Sequence, residues 1–257
     1  MILGRLAVVG LGPGSAVWRT PEASARLAGA TDLVGYGPYL ALVPELTPPP
    51  VRHEFDNREE ATRAQFGLDL AARGRDVVVV SSGDPGIFAM ATAVVEELHR
   101  ADDGRYRGVE VSIVPGVTAA SAAAARVGAP LGHDFCCLSL SDVLKPWAVV
   151  EQRLEAVAGA DLVVALYNPI SRHRPWQLGR AMEILGGYRA PSTPVVLGRD
   201  LGRTGEAVQV TTLGALDIAD VDMRTVVMVG SSTTRAFKDV DGHTWVYTPR
   251  AYPEAPS

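Results

Sequence analysis

Cysteine is almost missing. The chain has two in 257 residues, and they are adjacent, Cys136 and Cys137, inside Phe-Cys-Cys-Leu-Ser-Leu. Neighbouring strand side chains leave opposite faces, so this pair suits neither a disulfide nor a metal site. A reducing, cytoplasmic and metal-free setting is the expectation. The five histidines (His53, His99, His133, His173, His243) have no zinc-type spacing. No apolar run approaches membrane-spanning length, and no signal peptide is read, because residues 1–14 pass straight into a strand and a glycine turn. An excess of positive charge is absent as well: 24 Lys and Arg against 29 Asp and Glu give a net charge of −5. Such a surface does not attract nucleic acid, so a polyanionic ligand would need a local basic patch. No Ser-His-Asp or Cys-His constellation is visible.

What is present is a globular composition, 47% hydrophobic and 21% charged, in a length that fits one large domain or two small ones. The most informative stretch is Val77-Val78-Val79-Val80-Ser81-Ser82-Gly83-Asp84-Pro85-Gly86-Ile87-Phe88. Four consecutive β-branched residues predict a strand buried on both faces. Asp84 reads as a helix N-cap and Pro85 as a first helical residue, opening a helix over 87–98. A carboxylate and a glycine then stand at the carboxyl end of a buried strand, where open α/β sheets bind small ligands. For Asp84, cap and ligand contact are both open.

Strands at 6–9, 33–34, 77–80 and 109–114 alternate with helices at 20–28, 59–73 and 87–98, which predicts a mostly parallel sheet covered by helices. An alanine-rich helix over 119–127 follows Pro115-Gly116-Val117-Thr118 and ends at Gly128. A second set of strands is predicted at 135–140, 162–167, 194–197, 207–212 and 226–229, with one clear helix at 176–185. Gly202-Arg-Thr-Gly205 is a hairpin signal, so the second sheet is expected to be mixed. Two α/β domains result, residues 1–115 and 116–257, and the tail over 253–257 is expected to fray.

Gly10-Leu11-Gly12-Pro13-Gly14 invites a dinucleotide-binding reading, but its spacing is G-x-G-x-G and its proline removes an amide a phosphate would need. The acidic residue such a site requires after the second strand is missing too, since Asp32 precedes Leu33-Val34. Gly83-Asp84-Pro85, Pro115–Thr118 and Tyr167-Asn168-Pro169 are further turns at strand ends. Together they could hold a ligand with a cationic centre, a ribose and an adenine without phosphate-binding hardware.

The segments GLGPG, SSGDPGIF, PGVTAA, ALYNP and VVMVGSS, in that order, resemble the tetrapyrrole methylase family from about Arg5 to Tyr252. Within it, GHDFCCLSLSDVLKPW, YNPISRHRPWQLGRA and SSTTR…VYTPRAY are similar to the branch that methylates precorrin-3B at C-17 in cobalamin biosynthesis, with ring contraction to precorrin-4. The resemblance implies two α/β domains with a cleft for S-adenosylmethionine between them, no metal, and a homodimer. It implies cofactor contacts at Pro13, Ser82, Gly83, Asp84, Ile87, Thr118, Ala119, Tyr167, Asn168 and Thr225. Ser15 and Lys145 depart from the family pattern, and Lys145 leaves the substrate side open.

A tetrapyrrole substrate carries many carboxylates, for which Arg172, His173 and Arg174 form a candidate patch, extended by Arg199, Arg203 and Arg235. A solvated basic loop is the alternative. Direct displacement at a sulfonium methyl needs alignment more than a nucleophilic side chain. Ring contraction also needs proton movement; Asp142 and His133 are polar candidates, with no catalytic residue assigned. Whether the macrocycle is metal-free or cobalt-loaded stays open. So do a nicotinamide-dependent oxidoreductase, a non-catalytic sensor, and methylases of other substrates, which should lack YNPISRHRPW.

Overall fold

The four valines at 77–80 divide evenly between two cores. Val77 and Val79 pack with Leu6, Val8, Leu68 and Val94 on one side, while Val78 and Val80 pack with Ala7, Val9, Ala23 and Leu27 on the other. All four are at most 3% exposed, as a strand covered on both faces requires. Each buried aliphatic side chain is worth roughly 1.5–3 kcal/mol, against roughly 0–1 kcal/mol for a surface ion pair, so these two faces hold the sheet together. The structure is a computed structural model and describes residues 4–252. The chain divides into two compact units, Met1–Thr118 and Ala119–Ser257.

The first unit runs β1 (Arg5–Gly10), α1 (Pro21–Ala28), β2 (Asp32–Tyr36), α2 (Gly37–Leu40), β3 (Val51–Phe55), α3 (Glu60–Ala72), β4 (Asp76–Ser81), α4 (Met90–Arg100) and β5 (Glu110–Val114). Its sheet has the order β3-β2-β4-β1-β5 with every pair parallel. Thr20 caps α1 through its hydroxyl, which accepts from the Ala23 amide at 3.1 Å. One expectation fails here. No helix starts at Asp84; α4 begins at Met90, after Phe88 with φ of +53°. A left-handed residue cannot sit inside a right-handed helix, so the chain turns through residues 85–89 first. The edge strand β3 and the short α2 were not foreseen, because Val51 and the charged residues beside it carry little apolar alternation.

The second unit runs α5 (Ala119–Val127), β6 (Gly128–Ala129), β7 (Phe135–Ser139), α6 (Trp147–Gly159), β8 (Val163–Tyr167), α7 (Gln177–Gly186), β9 (Pro194–Arg199), β10 (Ala207–Thr212), β11 (Thr225–Val229), β12 (Arg235–Lys238) and β13 (Thr244–Tyr247). Its main sheet has the order β10-β9-β11-β8-β7; only β7 and β8 pair in parallel, so the sheet is mixed as expected. The glycine signal at 202–205 falls in the antiparallel β9–β10 connection. Helix α6 was missed, although Val150, Leu154 and Ala158 form its buried stripe at helical spacing. A separate sheet, β12-β13-β6, was missed because every residue of β12 is exposed. Cys136 packs against the α6–α7 side of the core, and burial pushes its thiol up to about 11. Among the described residues no helix is long and apolar enough to cross a membrane. The tail over 253–257 lies outside the described residues.

Asp32, considered above as a ribose ligand, stands at the amino end of β2, 2% exposed. Its carboxylate takes Arg75 Nε at 2.6 Å, His53 Nε2 at 2.8 Å and the Thr31 hydroxyl at 2.7 Å. Burial pushes this carboxyl up, but the hydrogen bonds from Arg75, His53 and Thr31 outweigh it and hold the group below the ordinary range. A depressed carboxyl pKa contributes stability that is present above its unfolded value and lost as pH falls through the folded one. The Asp32→Asn variant should therefore be less stable by about 2 kcal/mol at neutral pH. The gap from wild type should begin to narrow below about pH 4 and shrink further toward the lower folded value. Urea titrations from pH 7 to pH 3 test this, and a gap independent of pH would refute it.

Candidate functional site

In the first unit, β4, β1 and β5 are neighbours, so the loops that follow them meet at one end of the sheet. The β1 loop is stitched to the β4 loop by backbone alone. Leu11 N donates to Ser81 O at 2.9 Å, Gly12 N to Gly83 O at 3.1 Å, and Gly83 N back to Gly12 O at 2.8 Å. Gly83 has φ of +69°, which an L side chain rarely adopts. Gly116 of the β5 loop presses onto the same turn: a Cβ there would lie 2.3 Å from Gly83 O and 3.0 Å from Gly10 Cα.

Asp84 ties the third loop in. Its Oδ1 accepts from Gly86 N at 2.8 Å and its Oδ2 from Gly116 N at 3.1 Å. The carboxylate thus closes a local turn and bolts the β4 loop to the β5 loop, in place of the helix cap read from sequence. Each oxygen accepts a single amide here, which leaves acceptor capacity for a hydroxyl or ammonium of a ligand. Pro13 is buried, Ser82, Ile87 and Thr118 are half-buried, and all stand on these three loops. The Leu11 and Gly12 amides are spent on the β4 loop and Pro13 has none. With Asp32 locked at the far end of β2, the dinucleotide reading loses both its phosphate cradle and its ribose carboxylate.

In the second unit two of the residues predicted for the site, Tyr167 and Asn168, stand at the carboxyl end of β8, where Ser139 of β7 pairs with Tyr167. The Tyr167 hydroxyl accepts from Ala120 N at 2.9 Å, satisfying an amide in the first turn of α5, the helix that Ala119 opens. Burial pushes the nearby Cys137 thiol up, and the Tyr167 hydroxyl opposes that. Asn168 has φ of +51°, and its Nδ2 donates to the Ser139 hydroxyl at 3.0 Å. Strand β11 runs antiparallel to β8, with Val227 opposite Leu166, which brings Thr225 to the level of Asn168. Thr225 is 4% exposed and its hydroxyl donates to Asp222 Oδ1 at 3.0 Å. Burial pushes the Asp222 carboxyl up, but the Arg224 amide, the Thr225 hydroxyl and the Arg224 and Arg199 side chains hold it below the ordinary range. Thr225, distant in sequence from the adjacent Tyr167 and Asn168, stands with them at one end of one sheet.

The basic loop behaves in two ways. Arg172 and His173 are exposed, whereas Arg174 is 8% exposed and turned inward. Its Nη1 donates to Asn168 O at 2.9 Å and lies 3.5 Å from Leu140 O, and its Nη2 is 3.4 Å from Met223 Sδ. Ser171 and Arg174 exchange two backbone hydrogen bonds, closing a tight turn that aims the guanidinium inward. A solvated loop does not describe Arg174. Arg199 pairs with Asp222 at 3.0 Å, Arg203 is half-buried in the β9–β10 turn, and Arg235 lies on exposed β12, donating to the Ser232 and Thr234 carbonyls.

Asp142 accepts from the buried Gln177 at 3.1 Å, which makes it an anchor of its loop. His133 stands before β7, at the opposite end of that strand from Ser139, and is edge-on to Tyr252. Ser15 caps the short turn at 16–18, accepting from Val17 N. Sequence reasoning missed Ser139, Asp222 and the part played by Gly116. A serine ending a strand opposite Tyr167 was the only signal available for Ser139.

Residues 5–217 match the family described as Tetrapyrrole (Corrin/Porphyrin) Methylases. A Sinorhizobium protein named precorrin-3B C(17)-methyltransferase is 51% identical over 97% of this chain and 97% of its own length. The Mycobacterium tuberculosis cobalamin biosynthesis protein CobIJ is 51% identical over 99% of the chain, which spans about half, 50%, of that relative's length. A crystal structure of the methyltransferase CobJ superposes with a TM-score of 0.89 at 47% identity, covering 96% of this chain and all of that one. Together with the parallel and mixed sheets described above, these likenesses show that the chain belongs to the tetrapyrrole methylase family.

Proposed function

We propose that this protein is an S-adenosylmethionine-dependent methyltransferase that acts on precorrin-3B at C-17, with ring contraction to precorrin-4. The observation that carries this is the near-full-length, 51% identical Sinorhizobium relative of that name. Further support comes from the strand-end turns, which carry hydroxyls and the Asp84 carboxylate and, in the first unit, spend the Leu11, Gly12, Gly83, Gly86 and Gly116 amides internally. Such a donor set suits a zwitterionic sulfonium nucleoside better than a pyrophosphate.

Bound S-adenosylmethionine supplies an electrophilic methyl group on sulfur. In the first unit Pro13, Ser82, Gly83, Asp84, Ile87 and Thr118 are the proposed contacts, with Asp84 accepting from ribose or the ammonium group. In the second unit Ala119, Tyr167, Asn168 and Thr225 are the proposed contacts to the methionine and adenine parts. The domains of this reading are residues 1–115 and 116–257, a boundary that falls three residues before the one between the two compact units and puts Thr118 at the start of the second domain. The role left to these side chains is alignment and exclusion of water, which in well-oriented pairs is worth effective molarities of about 10⁵–10⁸ M. This fits a site whose geometry is fixed mainly by backbone hydrogen bonds. The reading includes a cytoplasmic homodimer that needs no metal.

Incubation of purified protein with precorrin-3B and methyl-labelled S-adenosylmethionine should yield a labelled, ring-contracted product by mass spectrometry. A parallel incubation with the cobalt-loaded macrocycle distinguishes the two substrates: turnover of that one alone refutes precorrin-3B as substrate. Failure to bind S-adenosylmethionine or its demethylated product in calorimetry would refute the methyltransferase reading itself.

A further inference from the structure

Between β7 and α6 the chain makes a loop over residues 141–146 whose ends are anchored and whose tip is not. At its start the Ser141 amide donates to the Ser139 hydroxyl at 3.3 Å, and Asp142 is held by Gln177, itself 1% exposed. At its end the Trp147 ring stands edge-on to Trp176 at 4.8 Å. Between these anchors Val143 is 61% exposed and Leu144 97%. Two adjacent aliphatic side chains held out in water gain nothing from the fold, since burial is what stabilises such groups.

Their surroundings share that character. Trp176 is 50% exposed and Met223, against the Arg174 guanidinium, 42%. Next to Leu144 stands Lys145, half-buried. Partial burial pushes its ammonium pKa down, Arg153 adds to that, and Asp142 opposes before Arg174 lowers it further. A cation whose surroundings disfavour its charge gains more than an ordinary surface lysine from an arriving anion. Arg172 and His173, both exposed, stand on the neighbouring loop after β8. In a chain with a net charge of −5 this is a local mixture of apolar and cationic groups at the carboxyl ends of β7 and β8. A flat macrocycle with apolar faces and carboxylates around its rim has the complementary chemistry.

We propose that the loop over 141–146 is the lip that seats the tetrapyrrole, with Val143 and Leu144 against a face of the macrocycle and Lys145 on one of its carboxylates. This rests on the methyltransferase reading above and adds residues to its substrate side. Substrate affinity then depends on a segment that the proposed cofactor contacts do not include, so the two can be separated by substitution.

The test uses the full-length protein, uroporphyrin III as a stable polycarboxylate probe read by tryptophan fluorescence, and S-adenosylhomocysteine read by calorimetry. The Val143→Ser/Leu144→Ser variant should bind uroporphyrin about tenfold more weakly. Lys145→Ala should bind it about fivefold more weakly, with a shallower salt dependence that Lys145→Arg restores. Both should keep wild-type cofactor affinity and melting temperature, which excludes a folding defect. Unchanged uroporphyrin affinity in both variants, or a wild-type protein that binds no uroporphyrin, overturns the proposal. So does a shift from dimer to monomer by light scattering in the double variant with porphyrin affinity intact, since the patch would then be a self-contact. Wild-type binding of uroporphyrin without S-adenosylhomocysteine would instead refute the methyltransferase reading, while the variants still decide the lip.

Discussion

Replacing Gly116 by alanine should abolish S-adenosylhomocysteine binding and destabilise the protein by about 3 kcal/mol, at the upper end of overpacking costs. A fall in melting temperature on the order of 10 °C corresponds to that loss. The added methyl would meet Gly83 O at 2.3 Å and Gly10 Cα at 3.0 Å. Those are backbone atoms of the two loops on which the proposed cofactor contacts stand, and no side-chain rotation relieves the clash. The β5 loop must retreat, which breaks the Asp84–Gly116 hydrogen bond and frees the turn at 82–84. Gly186→Ala is the control, because nothing lies within 4 Å of a Cβ there. Asp84→Asn probes the same junction more gently, since the amide group can accept one of the two backbone protons but not both; about 1–3 kcal/mol is expected. Calorimetry and thermal melts decide the matter. A Gly116→Ala protein with wild-type affinity and melting temperature would mean that the three loops are not locked together.

Arg174→Ala should weaken S-adenosylhomocysteine about tenfold and cost about 2–3 kcal/mol of stability. Sequence reading points the other way, to a substrate carboxylate as the guanidinium's partner and an unaffected cofactor. The burial of Arg174 and its 2.9 Å hydrogen bond to Asn168 O reverse that order. Asn168 holds a left-handed backbone, φ +51°, a conformation that costs a non-glycine residue on the order of 1 kcal/mol and persists only where neighbours impose it. Ser139 holds the Asn168 side chain and Arg174 its carbonyl, so removing the guanidinium should let the turn relax. Arg174→Lys, which reaches one carbonyl but not several acceptors, should fall between. If uroporphyrin affinity drops while S-adenosylhomocysteine affinity stays, Arg174 is a substrate contact after all.

Much of this architecture was legible because its signals are local. The four valines of β4 could only be a strand with two buried faces. The helix expected over 20–28 is α1 to within a residue, and the glycines at 202 and 205 marked a reversal. Legibility ended where one local pattern supports two structures. Asp84-Pro85 has the chemistry of a helix start, yet Phe88 goes left-handed and α4 waits until Met90. Helix α6 hid in a run of Val and Ala that suits strands as well. Strand β12 carries no apolar face of its own and pairs only because β13 lies beside it.

The site divides along the same line. The turns that end β1, β4, β5 and β8 are written in short stretches of Gly, Pro, Asp and Asn, and their residue types already argue against a phosphate cradle and leave room for a cationic nucleoside. That Gly116 lies against Gly83, that Thr225 stands level with Asn168, and that Arg174 points inward while Arg172 points out required the folded chain. Turn chemistry depends on backbone angles a few residues apart and is therefore written in the sequence. Which distant turns touch, and which charge is buried, depends on strand order and register, and those are set by packing the whole sheet at once.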